Sequence, residues 1–436
     1  MKQEKRNRVH FIGIGGIGMS ALARYFLSEK WQVSGSDLSP SSITDELRKE
    51  GVKFFSGHKA ANISTNIQLV VYNNAIPVSN QELSYAKELG LACRTYPEVV
   101  GELTRTYKTI AIAGSHGKST TTAMTALILI EAGIDPTVIV GTKLKEFGPP
   151  SAPSGGGGKN FRKGKGGYLV LEADEWKAAF HHYSPFVATI TNIDAEHLDF
   201  YKTFANVKKS FEKFKSQCHK IVERPTDKKI AEKIRRVLKI PGEHNVQNAL
   251  NAYAVASFLE IPEKIILSAL GKYQGAWRRM EYRGKLGNAL VYDDYGHHPS
   301  EIKATLAGFR QKWPKNALIC VFQPHQAKRL VALYDSFKTA FKDASRVVIL
   351  PTYQVAGREA EKTNNRRLTT NDKTAEGLAK DIGATYVPHP EIDLKKVLLS
   401  LVARSSVVGR QSPPVIVMMG AGTINELTPK LLTTNY

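Results

Sequence analysis

The chain has 436 residues, 42% of them hydrophobic and 23% charged, with 61 basic against 40 acidic residues and a net charge of +21. That length exceeds one ordinary core and predicts two or three domains, while no apolar run reaches the roughly 18 residues a membrane span needs. Three scattered cysteines, Cys93, Cys218 and Cys320, exclude a disulfide framework and a metal knuckle and point to a reducing cytoplasm.

The basic N-terminus Met1–Arg8 leads into Val9–Ile14, an apolar stretch too short for a signal peptide. It reads as a strand, followed by a glycine turn and a helix over Gly18–Glu29. Gln32–Ser36 and Gln68–Tyr72 read as further strands, with a helix near Thr44–Glu50, and Tyr96–Lys108 closes the first unit. A second unit opens with the strand Thr109–Ala113, a glycine loop and a helix from Ser119 to Ala132, which Gly133 stops. Gly148–Gly167, rich in Gly, Pro, Ser and Lys, reads as a mobile surface loop before the strands Tyr168–Glu172 and Phe186–Asn192. Pro241–Leu259 is a turn running into a helix. A third unit begins near Trp277–Glu281 and holds the strands Ala289–Asp293, Ala317–Phe322, Arg346–Leu350 and Pro414–Met419. Strand–helix alternation throughout predicts an α/β protein with mostly parallel sheets. Basic clusters at Lys2–Arg8, Lys159–Lys165, Lys202–Lys220 and Lys228–Lys239 accompany no recognition motif. A solvated basic surface is expected, and no specific nucleic-acid partner.

Gly114-Ser115-His116-Gly117-Lys118-Ser119 lies between a strand and a helix start. Glycines let backbone N–H groups close on phosphate oxygens, and the helix N-terminus adds partial positive charge. Lys118 supplies a full charge, and the Ser119 hydroxyl suits Mg²⁺. The usual loop carries another glycine five residues before Gly117, where Ile112 stands here. Gly13-x-Gly15-x-x-Gly18 with Asp37 beyond the second strand has the arrangement of a dinucleotide fingerprint, without separating a nicotinamide dinucleotide from another nucleotide diphosphate. Glu172-Ala173-Asp174-Glu175 and Asn192-Ile193-Asp194-Ala195-Glu196-His197 end two strands, where carboxylates and histidine either cap the chain or hold a cation. Asp293–Pro299 and Gln323-Pro324-His325 end two more, offering Tyr, His and Arg329 to a carboxylate or amine; Met418–Gly422 is a glycine turn made for close packing.

In this order the motifs resemble the Mur ligase family, the ATP-dependent amide ligases of peptidoglycan precursor synthesis, and within it the alanine-adding branch. The resemblance runs from Val9 to Leu427. It rests on HFIGIGGIGMS at His10–Ser20, SGSD at Ser34–Asp37, AGSHGKSTTT at Ala113–Thr122, EADE at Glu172–Glu175 and TNIDAEHLD at Thr191–Asp199. HNVQNA at His244–Ala249, DDYGHHP at Asp293–Pro299, QPH at Gln323–His325 and MGAG at Met419–Gly422 complete it.

The resemblance implies three α/β domains: a Rossmann-like UDP-sugar domain over residues 1–107, a shortened central P-loop ATPase over 108–276, and a Rossmann-like C-terminal domain over 277–436 that closes over the site. It implies that Gly15, Gly16, Ile17, Gly18, Ser36, Asp37, Thr191 and Asn192 contact UDP-N-acetylmuramate. Gly114, Ser115, His116, Gly117, Lys118, Ser119, Thr120, His244, Asn245, Asn248, Arg279 and Asp294 would hold ATP. Ser119, Glu172 and His197 would hold Mg²⁺, and Tyr295, His297 and Arg329 would meet L-alanine. Lys118, Glu172, His197 and Arg279 are the implied catalytic set in a cytoplasmic monomer or homodimer. The muramoyl carboxylate would attack the γ-phosphate, and the amine would attack the resulting acyl phosphate.

Three departures stand out. The segment from His197 to His244 is short for the family, so part of the central sheet's outer edge is expected to be missing. Gln326 replaces an arginine, leaving Arg329. Phe211 falls where several relatives carry a carbamylated lysine, with Lys209 and Lys213 close by. A peptide-recycling ligase of the same family is the nearest alternative. A nicotinamide-dependent dehydrogenase would leave the phosphate loop unexplained, and a nucleic-acid binder would rest on charge alone.

Overall fold

The computed structural model describes residues 7–148, 158–353, 373–406 and 412–432. Three sheets follow one another along the chain. The first contains β1 (Arg8–Ile12), β2 (Gln32–Asp37), β3 (Lys53–Ser56), β4 (Leu69–Tyr72) and β5 (Ala92–Thr95) in the order β3-β2-β1-β4-β5, all parallel. Strand order reverses at β1, so a crevice opens at the carboxyl ends of β1 and β4. The glycine turn lies there: Gly13 has φ +83°, and its N–H donates to Ser36 O at 2.9 Å.

The second sheet contains β6 (Lys108–Ala113), β7 (Thr137–Leu144), β8 (Lys159–Arg162), β9 (Tyr168–Ala173), β10 (Val187–Ile190) and β11 (Lys220–Ile221) in the order β11-β10-β6-β9-β7-β8. Only β8 runs antiparallel, against β7. The apolar run of β6, buried from Thr109 to Ala113, is what a central parallel strand with both faces covered requires. The third sheet contains β12 (Glu281–Leu286), β13 (Ala289–Asp294), β14 (Leu318–Phe322), β15 (Arg346–Ile349), β16 (Thr385–Tyr386) and β17 (Val415–Met419) in the order β12-β13-β17-β14-β15-β16. It is parallel apart from the β12–β13 hairpin.

The three sheets fall into two compact units. The first takes the chain up to Lys239 together with Val246–Tyr273, and the second takes Ile240–Asn245 and Gln274 onward. One apolar cluster within the first unit runs from Val9, Phe11 and Leu22 on the first sheet's layer to Leu171, Phe180, Phe211 and Phe214 on the second's. In the second unit the faces of the third sheet bury separate clusters, one around Phe309, Phe322 and Phe337, the other around Leu394, Ile416 and Met418.

The strands and helices expected from the pattern are present, with ends shifted by a residue or a few; Tyr96–Thr106 is a helix. The reading of Gly148–Gly167 as a loop needs correction, because Lys159–Arg162 pairs with β7, its register running from Val138↔Arg162 to Leu144↔Lys159. Residues 149–157 of that stretch lie outside the described residues, as do residues 1–6 of the basic N-terminus. Between His197 and His244 the described chain contributes only the two-residue strand β11 to the sheet, the rest being helix and turn. The short segment thus supplies a minimal edge. No described helix is long and apolar enough to cross a membrane.

Candidate functional site

The loop after β6 is held open by backbone geometry. Gly114 has φ +128° and Gly117 φ +82°, and a Cβ at either would collide, with Thr191 Oγ1 or Asn248 Oδ1 respectively. The helix Lys118–Glu131 starts there without a side-chain cap, so its first N–H groups and partial positive charge face the loop. The Lys118 ammonium donates to Gly114 O at 2.5 Å, Ser115 O at 3.3 Å and Glu175 Oε2 at 2.8 Å. Burial works against that charge, but the carboxylates of Glu175 and Asp174 outweigh it and keep the ammonium protonated well above its ordinary range. Thr120, next in the helix, is buried.

Neighbouring strand ends brace this loop. Asn192 Oδ1 accepts from His116 N and its Nδ2 donates to His116 O, both at 3.0 Å. Thr191 Oγ1 donates to His116 O at 2.6 Å, Ser115 Oγ accepts from Asp194 N at 2.9 Å, and the His116 ring lies 3.2 Å from Asp194 Oδ2. Thr191 and Asn192, expected at the sugar nucleotide, both make hydrogen bonds to the phosphate loop; Thr191 is 3% exposed, whereas Asn192 stays exposed.

Register along β9 puts Glu172 beside Ile112 of β6, so the carboxylate reaches the loop's helix. Ser119 Oγ donates to Glu172 Oε2 at 3.1 Å, and Gly141 N donates to Oε1 at 2.5 Å. His197, with φ +55°, groups instead with Asp174 and Glu175, each offering a ligand atom within 4.8 Å of the others. This donor set of two carboxylates and an imidazole fits a hard divalent cation. Glu175, which is 1% exposed, was read in sequence only as part of the Glu172–Glu175 motif and not among the expected metal residues; it lies two residues beyond the end of β9.

In the first sheet the fingerprint is similarly self-supporting. Asp37 Oδ2 accepts from Gly15 N at 2.8 Å, so the acid expected to meet a ligand also fixes the glycine turn. Gly16 precedes the helix Ile17–Ser28, whose N-terminus faces the crevice. Ser36, fully buried, donates to Glu82 Oε2 at 2.5 Å and contacts His58 Nδ1 at 2.9 Å. Its hydroxyl is engaged with protein partners beneath the turn. Glu82 also accepts from Asn62 Nδ2 at 2.5 Å and lies 3.7 Å from His10 Nε2. Tyr96, likewise unanticipated, lies against Gly18, where a Cβ would meet its ring at 3.1 Å. Burial raises its phenol, and the Glu172 and Asp174 carboxylates raise it further.

The second unit gathers the remaining residues. The HNVQNA motif is divided: His244 and Asn245 belong to the second unit and Asn248 to the first. Burial, aided by Arg279, lowers His244 to about 4 and keeps it neutral. Asp294 is 4% exposed and accepts from Met280 N, Gly296 N and Thr305 Oγ1 at 2.9, 2.9 and 3.2 Å, so its carboxylate organises the motif internally. Arg278 and Arg279 lie over the Tyr295 ring, each 4.9 Å from its centroid. Arg278, not singled out beforehand, is the buried one and donates to Gly420 O and Gly422 O, tying the last glycine turn to this loop. His297 stands 5.4 Å from Tyr295 and 5.7 Å from His325, ring to ring. Burial lowers it to about 3, with Arg329 adding to the effect. The Arg329 guanidinium makes no ion pair or hydrogen bond among the described residues, and Gln326 beside it has φ +68°. Phe211 is fully buried against Phe180 while Lys209 and Lys213 are exposed on the same helix, so the lysines point away from the core position that Phe211 fills.

Comparison with known proteins agrees with this layout. Residues 8–108 match the Mur ligase family catalytic domain, 112–239 the Mur ligase middle domain and 278–421 the Mur ligase glutamate ligase domain. A UDP-N-acetylmuramate–L-alanine ligase of Desulforapulum autotrophicum is 38% identical over 80% of this chain and 84% of its own. The enzyme of that name from Aquifex aeolicus is 34% identical over 99% and 98%. The crystal structure of UDP-N-acetylmuramate–alanine ligase from Thermotoga maritima superposes with a TM-score of 0.77 at 25% identity, covering 98% of each chain.

Proposed function

The chain belongs to the Mur ligase family, and from that premise we propose that it uses ATP to join L-alanine to the carboxylate of UDP-N-acetylmuramate in peptidoglycan precursor synthesis, releasing ADP and phosphate. The observation that carries this reading is the convergence of the Lys118 ammonium, the helix N-terminus and the Ser119–Glu172 pair on one glycine loop.

Residues 1–107 take the sugar nucleotide on the glycine turn Gly15–Gly18, residues 108–276 take ATP on Gly114–Thr120, and residues 277–436 take the amino acid. Ser119 and Glu172 would hold Mg²⁺ beside the phosphate loop, and His197 with Asp174 and Glu175 would offer a second place for a divalent cation; the ion would supply charge neutralisation on the phosphate oxygens. The muramoyl carboxylate oxygen bonds to the γ-phosphorus while the bond to the ADP oxygen breaks. Lys118 and the loop N–H groups offset negative charge on the transferring phosphoryl. The free amine of L-alanine then attacks the acyl carbonyl, phosphate leaves, the nitrogen gives up its extra proton to the departing phosphate or solvent, and the amide remains. Arg329, a cation without a counter-ion among the described residues, suits the alanine carboxylate. His297, kept neutral by burial, avoids repelling the incoming ammonium group. The substrates are soluble nucleotides and an amino acid, which fits a cytoplasmic enzyme.

The test is phosphate release from ATP and Mg²⁺ with each substrate omitted in turn. Release should require both UDP-N-acetylmuramate and L-alanine; equal release without the sugar nucleotide would overturn the proposal. Preference for a murein tripeptide over L-alanine would reassign the chain to the peptide-recycling branch.

A further inference from the structure

Glu175 is placed between two cationic roles. One carboxylate oxygen, Oε2, lies 2.8 Å from the Lys118 ammonium. The other, Oε1, is buried, accepts no hydrogen bond among the described residues, and faces His197 Nε2 at 3.7 Å. Asp174 and His197 stand within 4.8 Å of it with one ligand atom each. The main chain of Glu175 is fixed, because Tyr201 OH donates to its carbonyl at 2.5 Å and also contacts Ser210 Oγ at 3.1 Å. Ser210 Oγ in turn meets His181 Nε2 at 3.0 Å. With the backbone tied, only rotation of the side chain can change the partner of the carboxylate.

A triphosphate seated on Gly114–Ser119 brings its own oxygens to the same ammonium. Lys118 has three N–H groups and already gives them to two carbonyls and a carboxylate. A buried carboxylate beside phosphate oxygens is repelled strongly at low dielectric, unless another cation takes it. The buried Oε1, with Asp174 and His197 around it, offers such a place.

We propose that Glu175 is a positioning residue serving two cations in turn: it pairs with Lys118 when the phosphate loop holds no nucleotide, and joins Asp174 and His197 on a divalent cation when the triphosphate claims Lys118. This rests on the reading of Gly114–Ser119 as the triphosphate site. It makes nucleotide binding and cation binding cooperative by construction, since each relieves a charge the other leaves unpaired.

The experiment is a titration of ATP into the full-length protein, once in EDTA and once in Mg²⁺, with the dissociation constant as readout. The wild type should bind far more tightly with Mg²⁺. Glu175→Gln keeps the shape and removes the charge. It should bind ATP about tenfold more tightly in EDTA and lose most of the gain from Mg²⁺. His197→Ala leaves the Lys118 pair intact, so its affinity in EDTA should match the wild type while its gain from Mg²⁺ falls. An unchanged Mg²⁺ gain in either variant overturns the exchange. Should Glu175→Gln fail to fold, Glu175→Asp, which keeps the charge but shortens its reach to Lys118 and to His197, takes its place, and an ATP affinity in EDTA and an Mg²⁺ gain both equal to wild type would overturn the exchange. Lys118→Ala separates the two readings: undiminished ATP binding there would sink the loop assignment itself, whereas loss of binding there with an unchanged Mg²⁺ gain in Glu175→Gln would sink only the role of Glu175.

Discussion

Gly117 shows how little freedom single positions in the loop have. Its φ of +82° is strained for any side chain, and a Cβ would strike Asn248 on another helix. Gly117→Ala is expected to cost about 1–3 kcal/mol of stability and to weaken ATP binding by roughly tenfold or more. Urea unfolding and a nucleotide titration check both, and wild-type values in the two together would remove the conformational argument. Glu82 makes a different residue-scale case. Burial pushes its carboxyl up, but His10, His58, Ser36 and Asn62 outweigh burial and hold it at about 2, against 4.5 for a free glutamate. A carboxyl lowered in the folded state contributes stability that is complete above the unfolded value of 4.5. That contribution is lost as pH falls from 4.5 towards 2. Its size is about 3 kcal/mol by the shift alone. Glu82→Gln should therefore be less stable than wild type at pH 7, with the difference shrinking by pH 3; a constant difference across that range would contradict the assignment.

At the scale of elements, β8 matters more than its four residues suggest. Asn160 on this strand donates to Ile17 O at 2.6 Å and Ser20 Oγ at 2.9 Å, in the first turn of the fingerprint helix. Its Oδ1 accepts from Arg24 Nη1 at 2.5 Å. Arg24, 4% exposed, also binds Glu50 at 2.8 Å and Glu46 at 3.2 Å, and Lys143 of β7 reaches Glu46 at 2.5 Å. Side chains of the second sheet thus clamp helices of the first through a buried polar network. Removing one member leaves buried donors unsatisfied. Asn160→Ala is predicted to lose about 1–3 kcal/mol and, by loosening the turn Gly15–Gly18, to raise KM for the sugar nucleotide while leaving KM for ATP near wild type. Steady-state kinetics with each substrate varied would show the split; equal rises in both would make the network merely structural. This strand also explains why the sequence misleads locally. Lys-Asn-Phe-Arg between glycines has neither an apolar run nor strict alternation, so nothing marks it as β structure until β7 offers an edge to pair with. The short edge strands β3, β5, β11 and β16 escape notice for the same reason, whereas the central strands β1, β6, β9 and β17 declare themselves as apolar runs.

For the whole molecule, the grouping of three sheets into two compact units sets how the chain unfolds. The cluster from Val9 to Phe214 has no seam between the first and second sheets. Residues 1–273 are accordingly expected to fold as a fragment and to unfold in one transition, which chemical denaturation followed by tryptophan fluorescence and circular dichroism can test. Two separated transitions would mean that the sheets fold independently. The sequence by itself determined the α/β class, the central strands, the glycine turns and the family. These depend on local periodicity and on motifs whose residues are contiguous. Only the tertiary structure decided which motif residues are engaged with one another. Thr191, Ser36 and Asp294 all looked like ligand contacts in the chain, and all three are buried against protein partners. Glu175 was named only within its strand-end motif and Arg278 not at all, and both emerged as buried charges around which their sites are arranged. The physical reason is that a carboxylate or hydroxyl reads the same whether it serves a substrate or a backbone amide. Its partner comes from a strand or helix tens of residues away, and only packing brings that partner within hydrogen-bonding distance.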